Sequence, residues 1–295
     1  MKAAAFAYHR PDTVAETVAL LADYGDDAKI LAGGQSLVPM LAMRLTHFEN
    51  LIDVSRVAEL QSIDLVDDEI RIGAGTPDAL VGMDDEVAES VPLLTLATPY
   101  IGHFQIRTRG TLGGSIAHAD PAAEYAAVAL ALDAQMDAVS VRGTRTIPAS
   151  NFFTGLWETS LEPDEILTAV RFPMRGSRSG FAIEECARRH GDFAIAGAAV
   201  AIELDDDDRV SSCGIGLLGL GSTPLRGSAA EEAILGRPIG DITAQEVGEL
   251  AVSTLDDIPA DLQGSADYRS RVGATMVARA WTRAIHEAAM EAVNA

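Results

Sequence analysis

The chain has 295 residues, 48% hydrophobic and 22% charged, an ordinary globular composition that is ample for a large buried core. This length lies near the size at which one core stops growing, so two or three subdomains are expected. Lysine and arginine number 22 against 44 aspartate and glutamate, and a formal net charge of -22 argues against binding the phosphate backbone of a nucleic acid.

The N-terminal MKAAAFAYHR lacks the apolar core of a signal peptide, and no apolar run reaches the roughly 18 residues of a membrane span. A cytoplasmic chain without stable membrane insertion is therefore expected. Residues 12–24 place Val14, Val18 and Leu21 at helical spacing, with Asp12 as candidate N-cap and Gly25 as the stop. AKILAGG (28–34) reads as a buried strand entering a glycine turn, and SLVPMLAMRL (36–45) as a helix with Ser36 at its N-cap and Pro39 in its first turn. LIDVSRV (51–57) is another strand, which completes a small α/β unit.

A second unit opens with the strand EIRIGAGTP (69–77) and helical patterns at 78–89 and 92–100. The turn QIRTRG (105–110), a second glycine turn in TLGGSIAHADPAAE (111–124) and the apolar helix 125–134 follow. MDAVSVRGTRTIPAS (136–150) alternates as a hairpin around Gly143, and EILTAVRFP (165–173) is a strand stopped by Pro173. RGSRSG (175–180) reads as a linker.

Beyond it, FAIEECARR (181–189) pairs with GAAVAIELDDDDRVSSCGIGLLGL (197–220), itself a hairpin turning at Asp205-Asp206-Asp207-Asp208. That acidic run reads as solvated surface suited to high salt, as in a halophilic source, because it lacks the alternating ligands and distal glutamate of a calcium loop. Helices at 228–235, 243–255 and 266–292 complete the chain, the last with Tyr268, Val272, Met276, Ala280 and Ala284 near one face. Cys186 and Cys213 stand apart, too few for an iron–sulfur cluster or a disulfide framework.

Two glycine segments carry the chemical signal: Ala32-Gly33-Gly34-Gln35-Ser36-Leu37 and Thr111-Leu112-Gly113-Gly114-Ser115. Each is expected to offer unobstructed backbone N–H groups and a hydroxyl, a nest for an anion such as a pyrophosphate. Neither matches GxGxxG or GxxxxGK[ST], so a Rossmann or P-loop reading lacks its fingerprint. A lone Gly-Gly is more often a plain turn; two of them roughly 80 residues apart favour a shared ligand. On this reading Gly114→Val fills the space that the pyrophosphate needs.

AGGQSLVPMLAMRL and QIRTRGTLGGSIAHADPAAE together resemble the FAD-binding medium subunit of molybdenum hydroxylases, the xanthine dehydrogenase and aerobic carbon monoxide dehydrogenase family. The resemblance extends through RTIPASNFFTG (145–155), TSLEPDEILTAVRFP (159–173), RRHGDFAIAGAAV (188–200), TPLRGSAAEEAILGRP (223–238) and ADYRSRVGATMVARA (266–280), essentially the whole chain. It implies an α+β protein: an FAD-binding two-subdomain α/β unit of the PCMH/vanillyl-alcohol-oxidase type over 1–175 (subdomains about 1–57 and 58–175), then a C-terminal domain of antiparallel sheet with helices over 180–295.

The resemblance further implies that Ala32, Gly33, Gly34, Gln35, Ser36 and Leu37 wrap the FAD pyrophosphate. Thr111, Gly113, Gly114, Ser115, Ala117 and Asp120 hold phosphate and ribityl oxygens. Ile101 joins the cofactor-binding set, with Leu161, Asp192 and Phe193 near the isoalloxazine ring. Asp120-Pro121 also fits an N-cap and first-turn pair for the next helix.

Three positions depart from the family. His118 stands where many members carry Asn, Phe193 where they often place Tyr over the flavin, and Asn151 where Asp is more usual. Phe193 keeps an aromatic face without the hydroxyl. A lone His between alanines is more often structural than a ligand, and makes no metal site.

No catalytic triad, carboxylate pair or metal cluster is expected, since a flavin asks of its protein binding, orientation and electrostatics. The role implied is electron transfer from iron–sulfur clusters of a small subunit, through FAD, to an external acceptor. Substrate is oxidised on a molybdopterin large subunit, in a dimer of heterotrimers. The sequence leans toward the carbon monoxide dehydrogenase branch and leaves substrate and acceptor open. The alternatives are a stand-alone flavin oxidase of related fold and a flavin-less scaffold; intact glycines in both segments weigh against the latter.

Overall fold

A computed structural model describes residues 2–294. Strand β1 (Ala7–His9), helix α1 (Val14–Tyr24), β2 (Ala28–Leu31), α2 (Leu37–Met43) and β3 (Asn50–Asp53) build a parallel sheet of order β1-β3-β2. The sequence did not announce β1, whose three residues are largely exposed. The cap of α1 is Thr13 rather than Asp12: Thr13 Oγ1 accepts from Glu16 N at 3.1 Å, and Glu16 returns a carboxylate oxygen to Asp12 N at 2.9 Å. Val18 and Leu21 of α1 pack with Ala28 and Ile52 into a small core of their own.

Next come β4 (Ile63–Val66), β5 (Glu69–Gly73), α3 (Asp78–Val81), α4 (Asp85–Ser90), α5 (Pro92–Ala97), α6 (Phe104–Arg107), α7 (Leu112–His118) and α8 (Glu124–Ala131). Strands β6 (Gln135–Ser140), β7 (Gly143–Pro148), β8 (Phe153–Gly155), β9 (Glu158–Thr159) and β10 (Ile166–Pro173) follow. Five of these form an antiparallel sheet, β4-β5-β10-β6-β7, while β8 and β9 make a separate hairpin. The expected helix 78–89 is two, because Gly82 closes α3 and Asp84 recaps α4, accepting from Glu86 N and Val87 N at 3.0 Å. The β6–β7 hairpin turns at Val141-Arg142; Gly143 is the first residue of β7.

The third sheet is antiparallel, β11 (Ser179–Cys186), β12 (Ala196–Leu204), β13 (Val210–Leu218) and β14 (Leu225–Arg226), in that order. The expected pairing is present from Ser179 opposite Glu203 to Cys186 opposite Ala196; Ala187-Arg188-Arg189 lie beyond the strand, and Ser179-Gly180, expected in the linker, lie within it. The acidic run does form the next turn, with Asp205 Oδ1 accepting from Asp207 N at 3.0 Å and Arg209 N at 2.9 Å. One face of this sheet is covered by α9 (Ser228–Ile234), α10 (Ala244–Val252) and α11 (Ala266–Asn294). Helix α11 buries Met276, Val277, Ala280, Trp281, Ala284 and Ala288; Tyr268, expected on that face, is 39% exposed.

The opposite face of the third sheet receives α8. Every residue of α8 is buried, as expected of a helix apolar all round, because it is enclosed on all sides. Its backbone reaches β13 at Gly216, where a β-carbon would overlap the Ala127 carbonyl. The main core is therefore shared: Ile70, Ile72, Val170 and Phe172 from the second sheet join Phe181, Ile183, Ala199 and Leu218 from the third. Arg226 clamps the same seam, bonding Glu231, the Leu130 carbonyl at 3.1 Å and Asp133. Among the described residues no helix is long and apolar enough to cross a membrane.

Candidate cofactor site

The first glycine segment leaves the C-terminal end of β2, where Val54 N bonds Leu31 O at 3.1 Å. Gly34 turns the chain in the left-handed region, φ +74°, which glycine adopts without steric penalty. Helix α2 starts at once, with Val38 N bonding Gly34 O and Met40 N bonding Ser36 O, both at 3.1 Å. Gln35 folds its amide back onto Gly33 O at 2.9 Å. Ser36 holds the N-cap position but makes no side-chain cap. Among the described residues no acceptor takes the backbone N–H groups of Gly33, Gly34, Gln35, Ser36 and Leu37. Five consecutive half-buried donors are thus left unpaired where the sequence leads one to expect an anion nest.

The second segment is built differently. It is not a turn but the first turns of α7, capped by Thr111, whose Oγ1 accepts from Gly114 N at 3.0 Å. Leu112 N bonds Thr76 O at 3.1 Å, Gly113 N bonds Ala74 O at 3.0 Å and Ser115 N bonds Thr111 O at 2.9 Å. The amides of Leu112, Gly113, Gly114 and Ser115 are spent inside the protein, so this run offers no row of free donors like the first; the Ser115 hydroxyl remains as a donor. The glycines serve close packing instead. A β-carbon on Gly113 would lie 2.6 Å from Ala74 O, and one on Gly33 would overlap the Arg109 carbonyl. One on Gly114 would lie 2.7 Å from Thr111 Oγ1 and 3.4 Å from the Ala32 side chain, so the two segments touch here. Gly114→Val thus strikes the Thr111 cap first, not open ligand space.

Ala119 closes α7 in the left-handed region, φ +54°. Asp120 is not the cap of α8, which starts at Glu124 behind Ala123. Its Oδ1 accepts from Ala122 N at 2.9 Å, and its Oδ2 from Trp157 Nε1 at 3.2 Å.

At the other end, Ile101, Ala117 and Leu161 are half-buried along the rim of the main core. Arg107 shapes the Ile101 loop by donating to Ile101 O at 3.0 Å and Gly102 O at 3.1 Å. The turn carrying Asp192 and Phe193 is seated against that loop: a β-carbon on Gly191 would lie 2.8 Å from Gly102 O. The structure thus joins Ile101 to the 191–193 turn, and the first segment to the second. Phe193 itself is 62% exposed and packs into no core.

Residues that sequence reading passed over also belong here. Between Gly33 and Thr111 opens a cavity of about 470 Å³ lined further by Arg10, Ser55, Gly75 and Arg109. Trp157 stacks on His118, and the charge of Lys29 reaches the same imidazole. Burial holds His118 below the ordinary histidine range, against the pull of Asp120. Burial also pushes Glu124 up to about 8, and Asp78 and Glu185 up to about 7. Only contacts between distant segments mark these residues, so no local motif reveals them.

Residues 4–175 match the FAD binding domain in molybdopterin dehydrogenase, and residues 181–284 the CO dehydrogenase flavoprotein C-terminal domain. The chain belongs to this flavoprotein family. It is 42% identical over 288 residues to the 6-hydroxypseudooxynicotine dehydrogenase complex subunit alpha of Paenarthrobacter nicotinovorans, covering 98% of this chain and 97% of the relative. To the carbon monoxide dehydrogenase medium chain of Hydrogenophaga pseudoflava it is 37% identical over 282 residues, covering 94% and 98%. The solved carbon monoxide dehydrogenase from Hydrogenophaga pseudoflava superposes with a TM-score of 0.94 at 38% identity, over 97% of this chain and 99% of that one. The flavoprotein is thus an oxidoreductase subunit whose FAD-binding domain is joined to the C-terminal antiparallel sheet characteristic of the family.

Proposed function

We propose that the flavoprotein is the electron-transfer subunit of a molybdenum hydroxylase. FAD, when bound, supplies a two-electron store that can be filled and emptied one electron at a time. The chain's own residues bind and orient it. The unpaired amides of residues 33–37 receive the pyrophosphate, as an anion nest does without any lysine. Ser115 and Asp120 address the polar linker, Ile101, Ala117 and Leu161 give the ring an apolar wall, and Phe193 lends an aromatic face. Residues 1–175 form the cofactor-carrying part, and 180–295 supply the 191–193 turn from a second domain.

The observation that carries this reading is the row of five consecutive unpaired N–H groups after β2. Two isolated cysteines cannot furnish the clusters that would feed it, so an iron–sulfur small subunit and a molybdopterin large subunit are the partners, in a dimer of heterotrimers. The relatives named as a complex subunit and a medium chain favour that assembly. Since subunits named for 6-hydroxypseudooxynicotine and for carbon monoxide both resemble this chain over more than nine-tenths of its length, the substrate is chosen in the large subunit. The complex is placed in the cytoplasm, and a net charge of -22 suits a cell rich in salt.

Purification of the full chain from its native source tests this. Flavin absorption near about 370 and 450 nm together with cluster-bearing partners is expected. A colourless chain overturns the cofactor reading. A yellow chain that purifies alone and reacts directly with a substrate overturns the electron-transfer role.

A further inference from the structure

Trp157 sits at the tip of the β8–β9 hairpin with φ +59°, a left-handed conformation that costs a bulky residue on the order of 1 kcal/mol or more. Trp157 as a whole is 47% exposed, so burial does not account for the conformation. Two contacts to the end of α7 and the turn after it do. The indole Nε1–H donates to Asp120 Oδ2 at 3.2 Å, and the ring lies 8° from parallel to His118 with centroids 6.2 Å apart. With Ala122 N on its other oxygen at 2.9 Å, the Asp120 carboxylate is fixed at both ends. Of those two donors, one is local and the other crosses 37 residues of sequence, so the hairpin alone decides whether the second is present.

We infer that Trp157 is a positioning residue for the flavin cofactor: its indole N–H sets the direction of the Asp120 carboxylate, its ring braces His118, and the β8–β9 hairpin thereby straps the segment that receives FAD. Ser115 and Ala117 on α7 and Asp120 just beyond it lie within six residues, so a strap at the C-terminal end of α7 holds all three in register. The inference rests on the reading that FAD binds at residues 111–120. Trp157→Phe keeps an aromatic ring while it removes the N–H and part of the ring area over His118, and a half-exposed side chain tolerates the change.

The test is an FAD titration of the full chain, stripped of flavin, for wild type, Trp157→Phe, Asp120→Ala and the double variant, with thermal midpoints measured alongside. The expected result is an affinity about fivefold to tenfold weaker in Trp157→Phe, the scale of one typical hydrogen bond. That loss is expected to shrink below about twofold in the Asp120→Ala background, because residues acting through one another are not additive. Midpoints of the flavin-free wild type and Trp157→Phe should agree within about 2 °C. Equal FAD affinity of wild type and Trp157→Phe, or losses that simply add in the double variant, overturn the inference. A wild-type chain that takes up no FAD overturns the cofactor reading itself, a failure read on the unmodified chain and so separate from the first.

Discussion

Gly34 and Glu124 show how single side chains, or their absence, prepare a site. A β-carbon on Gly34 would lie 3.1 Å from Val38 Cγ2 and 3.2 Å from Leu31 Cδ1, close but movable, while φ +74° is the real obstacle. Gly34→Ala should therefore cost only about 1–2 kcal/mol of stability while turning the adjacent amides away from a common target. FAD affinity should fall more than about tenfold, with the thermal midpoint within about 5 °C of wild type. Unchanged affinity would remove the nest as the pyrophosphate site.

Glu124 acts through its proton. Burial raises its pKa from the ordinary 4.5 to about 8, so the folded chain keeps a proton that the unfolded chain releases. Its contribution to stability is fully present below pH 4.5 and is lost as pH climbs through 8, and Asp78 and Glu185, each raised to about 7, act in the same direction. Glu124→Gln, neutral at every pH, should flatten this decline and gain at most about 4 kcal/mol on wild type between pH 5 and 8. Urea unfolding of both proteins at those two values measures it, and parallel declines would refute the buried-proton account.

At the scale of elements, α7 is where local rules and tertiary packing part. Two adjacent glycines are poor helix formers, so the sequence reads a turn at Gly113-Gly114. The helix forms because Thr111 caps it and because only a glycine lets it rest on Ala74. Thr111→Ala should lose about 1 kcal/mol through the cap and loosen FAD binding, since α7 carries Ser115 and Ala117; Thr111→Ser should restore both. A melt and a titration of the two variants decide, and an alanine variant equal to the serine one would dismiss the cap.

The same contrast separates what sequence reveals from what it hides. Strands β11, β12 and β13 are legible because their apolar runs are long and the acidic turn between β12 and β13 is unmistakable. The first segment is legible because a strand, two glycines and a helix follow one another directly. Strands β1 and β4 are hidden because they are short and largely exposed. Asp120 looks like a cap from its neighbours alone; its partner Trp157 lies 37 residues away and no local pattern points to it. Glu124 is equally silent, since only enclosure by packed elements sets its proton affinity.

At the scale of the molecule, charge and core act in opposition. A net charge of -22 repels itself across the surface, so the midpoint should rise as salt goes from low concentration to about 1 M, where the screening length falls to about 3 Å. A midpoint that falls over that range would refute surface repulsion as the main electrostatic effect on stability.

The shared core makes a stronger claim. The FAD-binding part and the C-terminal sheet have separate sequence signatures, which suggests two folding units, yet Ile70, Val170 and Phe172 pack in the same cluster as Phe181, Ile183 and Leu218. Helix α8 contributes to that cluster while its backbone rests on β13, and neither half can leave without exposing it. The two tryptophans report on the two sides: Trp157 beside α7, and Trp281, 3% exposed, in the core beneath α11. Chains carrying only one of them, Trp157→Phe or Trp281→Phe, should each show a single urea transition. Because each substitution shifts stability a little, every chain is also followed by far-ultraviolet circular dichroism. In both, fluorescence and dichroism should then coincide, as one cooperative unit requires. A Trp157 signal that unfolds well before the dichroism would show that the cofactor-carrying part opens by itself, and that the seam through α8 is an interface rather than a common core.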